Sequence, residues 1–283
     1  MNITAETVKE LRDRTGAGMM DCKRALGETG GDLEKAIDCL RRQGLAKAAK
    51  RAGRSASEGL VGSLVAKDSI IVTEVNCETD FVCKTDEFQK FSKEITAHVA
   101  NTNPKDMDAL LNSTMHGKKV KDLQTELIAK IGENLGVRRF VVKDISGKNV
   151  KHSQYIHPGS KIGVAVIFDD PDGKLTDEAG RNVAMHVAAM NPQFVRKSDV
   201  PEAVLAREKE VFLGQLASEK KPPQVLEKIV VGKLAKYLSE ICLEDQIFVR
   251  DPAGKQTVQQ MLTSAAPKVT IKEFIRYQVG EKA

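Results

Sequence analysis

The 283-residue chain has no tryptophan, three tyrosines and nine phenylalanines, so aromatics make up 4% of it. That supply leaves few rings for base stacking, the usual platform for single-stranded nucleic acid. It also obliges the core to be built from Val, Ile, Leu, Ala and Met. Long apolar runs are missing too. The densest, Ile162–Phe168, falls far short of the ~20 residues that cross a bilayer. Glu6, Lys9 and Glu10 interrupt any apolar leader, so neither membrane insertion nor export is expected and the chain reads as cytoplasmic. Cys22, Cys39, Cys77, Cys83 and Cys242 include no C-x-x-C pair. An odd set of this kind without an export signal reads as reduced, mostly buried thiols.

Signatures of catalysis are equally sparse. No G-x-x-x-x-G-K-[ST] phosphate loop occurs, because each Gly-Lys pair lacks the Ser or Thr that would hold magnesium. Gly16-Ala17-Gly18 is half of a dinucleotide fingerprint, but Asp21 stands where the third glycine belongs. Asp169–Gly173 resembles a calcium loop without its first ligand or closing Glu, and reads as a turn. The five histidines form no zinc-spaced cluster. His98 and His186 fall on amphipathic helices, where a half-buried, hydrogen-bonded role is favoured. No nucleophile–base pair, metal site or cofactor site is expected, and the chain has the character of a binding protein rather than an enzyme.

What is present is a charge asymmetry. The net charge is +5, from 44 basic and 39 acidic residues, and residues 1–54 hold 12 Lys/Arg against 8 Asp/Glu. The head is therefore basic and the remainder close to neutral. Arg41, Arg42, Lys47, Lys50, Arg51 and Arg54 are the densest run. It could attach to RNA, a ribosome or an acidic protein surface, although a solvated helix face is the favoured reading.

Periodicity predicts an α+β chain. Residues 1–54 read as three short helices with glycine stops: one from a Thr4 cap to Gly16, one from Met19 to Leu26, and one from an Asp32 cap to Gly44. Leu45–Arg54 then reads as a linker. Leu60–Val65 and Ile70–Val75 predict a β-hairpin. Thr85 caps a helix through Phe88, Phe91, Ile95 and Val99, and another runs over Lys121–Leu135. A strand begins near Phe140. Ile162–Phe168, a turn and a helix ending at Met190 echo the first set, and His-Val-Ala recurs at 98–100 and 186–188, a weak sign of two related halves. Residues 201–240 predict an antiparallel helical hairpin broken at Lys220-Lys221-Pro222-Pro223, and a last strand covers Phe274–Val279. The expected division is 1–54, a head; 55–140, a first core subdomain; 141–200 with 241–265, a second; 201–240, the inserted hairpin; and 266–283, a short C-terminal module.

The least ordinary stretch is Glu74-Val75-Asn76-Cys77-Glu78-Thr79-Asp80-Phe81-Val82, which leaves a strand and precedes a helix cap. A Phe on such a connection either plugs its own core or protrudes. Composition favours the plug, since lone apolar residues in connections usually turn inward.

That stretch and Leu11-Arg12-x-x-Thr15-Gly16-Ala17-Gly18-Met19-Met20-Asp21-Cys22-Lys23-Arg24-Ala25-Leu26 are similar to the two signatures of the elongation factor Ts family. Lys130-Ile131-Gly132-Glu133-Asn134, His157 before Ile162-Gly163-Val164, and Ala184–Ala189 add to the resemblance, which spans most of the chain. The resemblance implies a ubiquitin-associated-like three-helix head and a core of two related α/β subdomains carrying the helical hairpin. It also implies guanine nucleotide exchange on elongation factor Tu, with a homodimer or a heterotetramer with that GTPase as possible assemblies and no role for DNA. Thr79, Asp80, Phe81 and Val82 would intrude beside the partner's magnesium site. Arg12, Met19, Met20 and Lys23 would contact the partner from the head, and Ile131 and His157 from the core. Cys83 departs from the small Ala or Ser usual there. Longer members continue into a further helix, so contact from that helix is not expected here.

Overall fold

The computed structural model describes residues 3–51, 53–216 and 222–281. Three helices lead: α1 (Ala5–Thr15), α2 (Met19–Glu28) and α3 (Leu33–Arg51). Thr4 caps α1 by accepting the Thr7 N–H, and Gly16 ends it in the left-handed region at φ 67°, where a side chain would be strained. Asp32 accepts the Lys35 N–H at 3.1 Å, as an N-cap should. Val8, Leu11, Cys22, Ala25, Leu26, Ala36 and Cys39 close a small core of their own.

Gly44 does not stop the third helix. It lies against α7 (Val120–Ile131), where an added Cβ would stand 3.1 Å from the Ala129 Cβ. The glycine therefore permits a close helix crossing rather than a turn, and the expected linker is largely the last part of α3. Its Ala48 is buried with the body of the molecule, so the head is docked along α7.

After the head come β1 (Glu58–Ala66), β2 (Ser69–Cys77), α4 (Asp80–Cys83), α5 (Asp86–Thr102) and α6 (Met107–Asn112). A two-residue pair, β3 (Thr114–Met115) and β4 (Lys118–Lys119), leads into α7 and then β5 (Leu135–Asp144). The second set is β6 (Val150–Ile156), β7 (Ile162–Asp169), α8 (Asp177–Met190), α9 (Glu202–Leu216), α10 (Pro223–Ile241), α11 (Val258–Ala265) and β8 (Thr270–Gln278). The three-stranded sheets have orders β1-β2-β5 and β6-β7-β8, antiparallel throughout. Both middle strands are second in their hairpins. Helices α5 and α8 both end on an asparagine in the left-handed region, Asn103 at φ 43° and Asn191 at φ 48°, a conformation that Asn tolerates better than most residues.

Period-two alternation builds four layers. Ile71, Val75 and Cys77 of β2 face α5 and α7, while Ile70 and Val72 face Ala165, Ile167 and Ile275 of the second sheet. On β7 the opposite set, Val164, Val166 and Phe168, meets α8 and α11. Helices thus cover the outer face of each sheet, and the inner faces meet. One ion cluster crosses this junction. Fully buried Glu74 accepts from Arg138 at 3.1 Å and Arg139 at 2.6 Å, and Arg139 also reaches Glu281 at 2.6 Å.

Two boundaries differ from expectation. Helix α7 stops at Ile131 because Gly132 takes φ 90°, and the released chain enters β5 at once, five residues before Phe140. The last strand pairs with β7 from Thr270 onward, so residues 270–278 complete the second sheet rather than form a separate module. Helices α9 and α10 lie side by side, with Lys233 donating to Gln215 at 2.8 Å. Of the four residues expected to break this hairpin, Lys220 and Lys221 lie outside the described residues, while Pro223 opens α10, where its missing N–H costs nothing.

Candidate partner-binding site

The connection after β2 is a helical turn rather than a loop. Thr79, extended at φ −124°, caps Asp80–Cys83, and Thr85 caps α5 by accepting the Phe88 N–H at 3.4 Å. Two caps six residues apart leave room for a single turn, whose periodicity sorts its side chains. Val82 and Cys83 are buried at 7% and 5% exposure, whereas Phe81 is 75% exposed. The inward plug that composition favours is therefore overturned: Val82 fills the interior and leaves Phe81 outside. Lys84 lies on the outer face with it, its ammonium 5.5 Å from the ring centroid and 2.8 Å from Asp80. The hydrogen bond and charge of Lys84 hold the Asp80 carboxyl below the usual carboxylate range, so it is presented ionised.

The turn is anchored from behind. Glu133, just past α7, accepts the Thr79 hydroxyl at 2.7 Å and the Thr79 N–H at 3.0 Å. One residue earlier, Glu78 accepts the Asn134 N–H at 2.6 Å, and Arg54 sits 3.6 Å from the same carboxylate. Lys130 pairs with Glu87 at 3.1 Å, and its stem lies against Gly16 of the head. The segment Lys130–Asn134 therefore touches the exposed turn, the start of α5 and the head together. Charge-assisted hydrogen bonds of this kind are among the stronger polar contacts. In the sequence Glu133 stands out only as part of a motif. Its signal was a carboxylate directly after a helix-ending glycine, within reach of the capping threonine.

The other expected positions are more dispersed. Arg12 and Lys23 are exposed, as are Met19 and Met20 at 42% and 70%, all on the first two head helices. Ile131 is half-buried against the first core cluster. His157 is exposed beside Tyr155, whose hydroxyl lies 3.0 Å from its Nδ1. It opens the β6–β7 turn, and Lys161 of that turn reaches Gly59 of β1 at 3.0 Å. That contact brings the second sheet to the foot of the Phe81 turn.

The two candidate histidines are structural. His186 accepts the Val249 N–H on Nδ1 at 3.1 Å and meets Gln246 at 2.9 Å through Nε2; His98 meets Ser113 at 2.7 Å. The basic run of the head is divided. Arg51 donates to the Ile128 carbonyl and Arg54 faces Glu78, while the side chain of Lys47 lies outside the described residues. A cleft of about 290 Å³ lies between the head and α7 beside their contact, and its lining mixes both signs, with Arg14, Asp38, Arg41, Asp122, Glu126 and Lys130. Among the described residues no His, Cys, Asp and Glu group could hold a metal ion, and no helix is long and apolar enough to cross a membrane.

The turn thus presents an aromatic ring beside an ionised carboxylate and is held by two anchored residues. Comparison with protein families agrees with the motifs that build it. The family model for elongation factor TS matches residues 78–281, well over half of the chain and including the turn, its Glu133 anchor, β5 and the whole of the second sheet. The chain belongs to the elongation factor Ts family of translation elongation factors.

Proposed function

We propose that the chain is a guanine nucleotide exchange factor that binds elongation factor Tu loaded with GDP, the GTPase with which its family works. It loosens the magnesium and phosphate site and so lets GTP replace GDP during cytoplasmic translation. The observation that carries this reading is the 75% exposure of Phe81 on a turn whose first residue is held twice by Glu133. A ring left in water costs free energy unless a partner covers it.

A GTPase grips its diphosphate through backbone N–H groups, a lysine and magnesium. Phe81 enters a pocket beside that site, and the Asp80 carboxylate, arriving with it, disturbs the metal's surroundings. Charge neutralisation at the phosphates weakens and GDP leaves. Met19 and Met20, with Arg12 and Lys23, give the head an adaptable apolar and basic contact on the partner's nucleotide domain; Ile131 and His157 extend the contact along the core. The head serves as a ubiquitin-associated-like bundle. The core acts as two related subdomains over 55–140 and 141–200 with 241–265, the latter extended by the strand at 270–278. The 201–240 hairpin is an insertion. Exchange is a binding phenomenon, since no bond in the nucleotide is made or broken, and it requires neither a cofactor nor a catalytic residue of this chain.

The test is release of labelled GDP from elongation factor Tu on addition of this chain. Acceleration that saturates with chain concentration is expected. An unchanged release rate, with RNA binding that weakens steeply with salt, would replace this reading with that of an RNA- or ribosome-binding protein.

A further inference from the structure

At the foot of the Phe81 turn the chain brings two thiols together. Cys77 ends β2 and Cys83 ends α4, and their sulfurs lie 3.4 Å apart, both buried. Lys161, arriving from the β6–β7 turn, has its ammonium 3.4 Å from the Cys83 sulfur and is also paired with Glu58. The Cys77 sulfur also lies 3.2 Å from the Thr79 carbonyl oxygen, and the Cys83 sulfur 3.4 Å from that of Gly59. We propose that Cys77 and Cys83 are a peroxide-sensitive dithiol, and that their oxidation to an intramolecular disulfide resets the Thr79–Phe81 turn and lowers partner engagement. The second half rests on the exchange-factor reading; the first does not.

The surroundings divide the two thiols by role. A hydrogen bond from Cys77, together with the Lys161 charge, draws the Cys83 thiol below the ordinary thiol range, while the same contact and burial push Cys77 up. Cys83 is thus the nucleophile and Cys77 the protonated resolving thiol. The other cysteines are poorly placed to compete. Burial pushes Cys22 up and Cys242 up to about 11, and a hydrogen bond to Glu28 with burial raises Cys39. In the first step the Cys83 thiolate attacks one oxygen of hydrogen peroxide, the O–O bond breaks, and a sulfenic acid and hydroxide form. In the second, the Cys77 sulfur attacks the sulfenic sulfur, the S–O bond breaks, and the departing hydroxide takes the Cys77 proton. Two thiols and one peroxide give one disulfide and two waters.

The link to the exposed turn is geometric. A disulfide requires about 2.05 Å between sulfurs, so the pair must close by more than an ångström from 3.4 Å. Closure also removes the Cys77 S–H, whose sulfur lies beside the Thr79 carbonyl. Thr79 is the residue that Glu133 holds, and Phe81 follows two residues later.

The reduced, isolated chain is treated with hydrogen peroxide at pH 7, alkylated, cleaved after Phe81 and mapped by mass spectrometry. A Cys77–Cys83 linked product, 2 Da lighter than its two unalkylated peptides together, is expected. It should be absent in Cys83→Ala and form roughly tenfold more slowly in Lys161→Gln, with circular dichroism reporting that each variant is folded. Both cysteines recovered separately alkylated would overturn the proposal, as would a linked product forming equally fast in Lys161→Gln. The oxidised chain is then assayed for GDP release from elongation factor Tu. A loss of tenfold or more, reversed by dithiothreitol, is expected, and an unchanged rate overturns the functional half. A reduced chain without exchange activity refutes the exchange-factor reading, and the functional half with it, while leaving the mapped disulfide standing.

Discussion

Replacing Phe81 by alanine separates the two things an aromatic ring can do. About 200 Å² of surface belongs to a phenylalanine side chain, and this one is 75% exposed. At ~25 cal/mol per Å², covering that exposed part in a partner pocket is worth about 3 to 4 kcal/mol, or two to three orders of magnitude in affinity. The covered quarter is worth about 1 kcal/mol to the fold by the same coefficient, which in a chain of this size moves the melting midpoint by about 2–4 °C. Phe81→Ala should therefore unfold within a few degrees of the parent while its kcat/KM for GDP release from elongation factor Tu falls about 100-fold. Stopped-flow release of a fluorescent GDP, with calorimetry on the same samples, measures both. A release rate within threefold of the parent would show that the ring contributes nothing to exchange. A midpoint lowered by more than about 10 °C would show that the ring is part of the core.

Three further outcomes are expected. Glu133→Ala removes both acceptors of Thr79, at 2.7 and 3.0 Å, and should lower exchange about tenfold, charged hydrogen bonds being worth about 1.5–3 kcal/mol; Glu133→Gln, which keeps one acceptor, should recover part of it, and equal rates for the two variants would remove Glu133 from the positioning of the turn. Burial holds His186 below the ordinary histidine value, so the unfolded chain binds its proton first. Stability is then full above pH ~6.5 and falls below it, at up to about 1.4 kcal/mol per pH unit for this group. Urea midpoints from pH 7.5 to 5 should show that slope, reduced in His186→Gln, and a flat parent curve would contradict it. Gly59→Ala would set a Cβ 2.3 Å from the Val75 carbonyl oxygen, so β1 must shift at a cost of about 1–3 kcal/mol; an unchanged denaturant midpoint would contradict the register of β1 on β2.

The sequence is most legible where one local rule acts alone. Thr4, Gly16 and Asp32 announce helix ends because caps depend on a few adjacent atoms. Unbroken apolar runs mark β2 and β7 because each faces a helix layer on one side and a sheet on the other. Gly44 misleads because a glycine that ends a helix and one that admits a crossing helix have the same one-residue signature; only Ala129, 85 positions away, distinguishes them. Phe81 misleads for a similar reason. Whether it or Val82 turns inward depends on the phase of a four-residue helix, which Thr79 and its remote anchor Glu133 set together. The family motifs named the turn without supplying that geometry, and the thiol pair beneath it needed Lys161 from another sheet to become visible.

An exchange factor can displace nucleotide at equilibrium only by binding the empty partner better than the loaded one, and linkage makes the two affinities answer for each other, with each tenfold equal to about 1.4 kcal/mol. The decisive measurement is therefore the affinity of this chain for nucleotide-free and for GDP-loaded elongation factor Tu, taken in the same buffer with magnesium present. Binding to the empty form at least 100-fold tighter is predicted. Equal affinity for the two forms would contradict the account, since a ligand that does not distinguish two states cannot shift one toward the other.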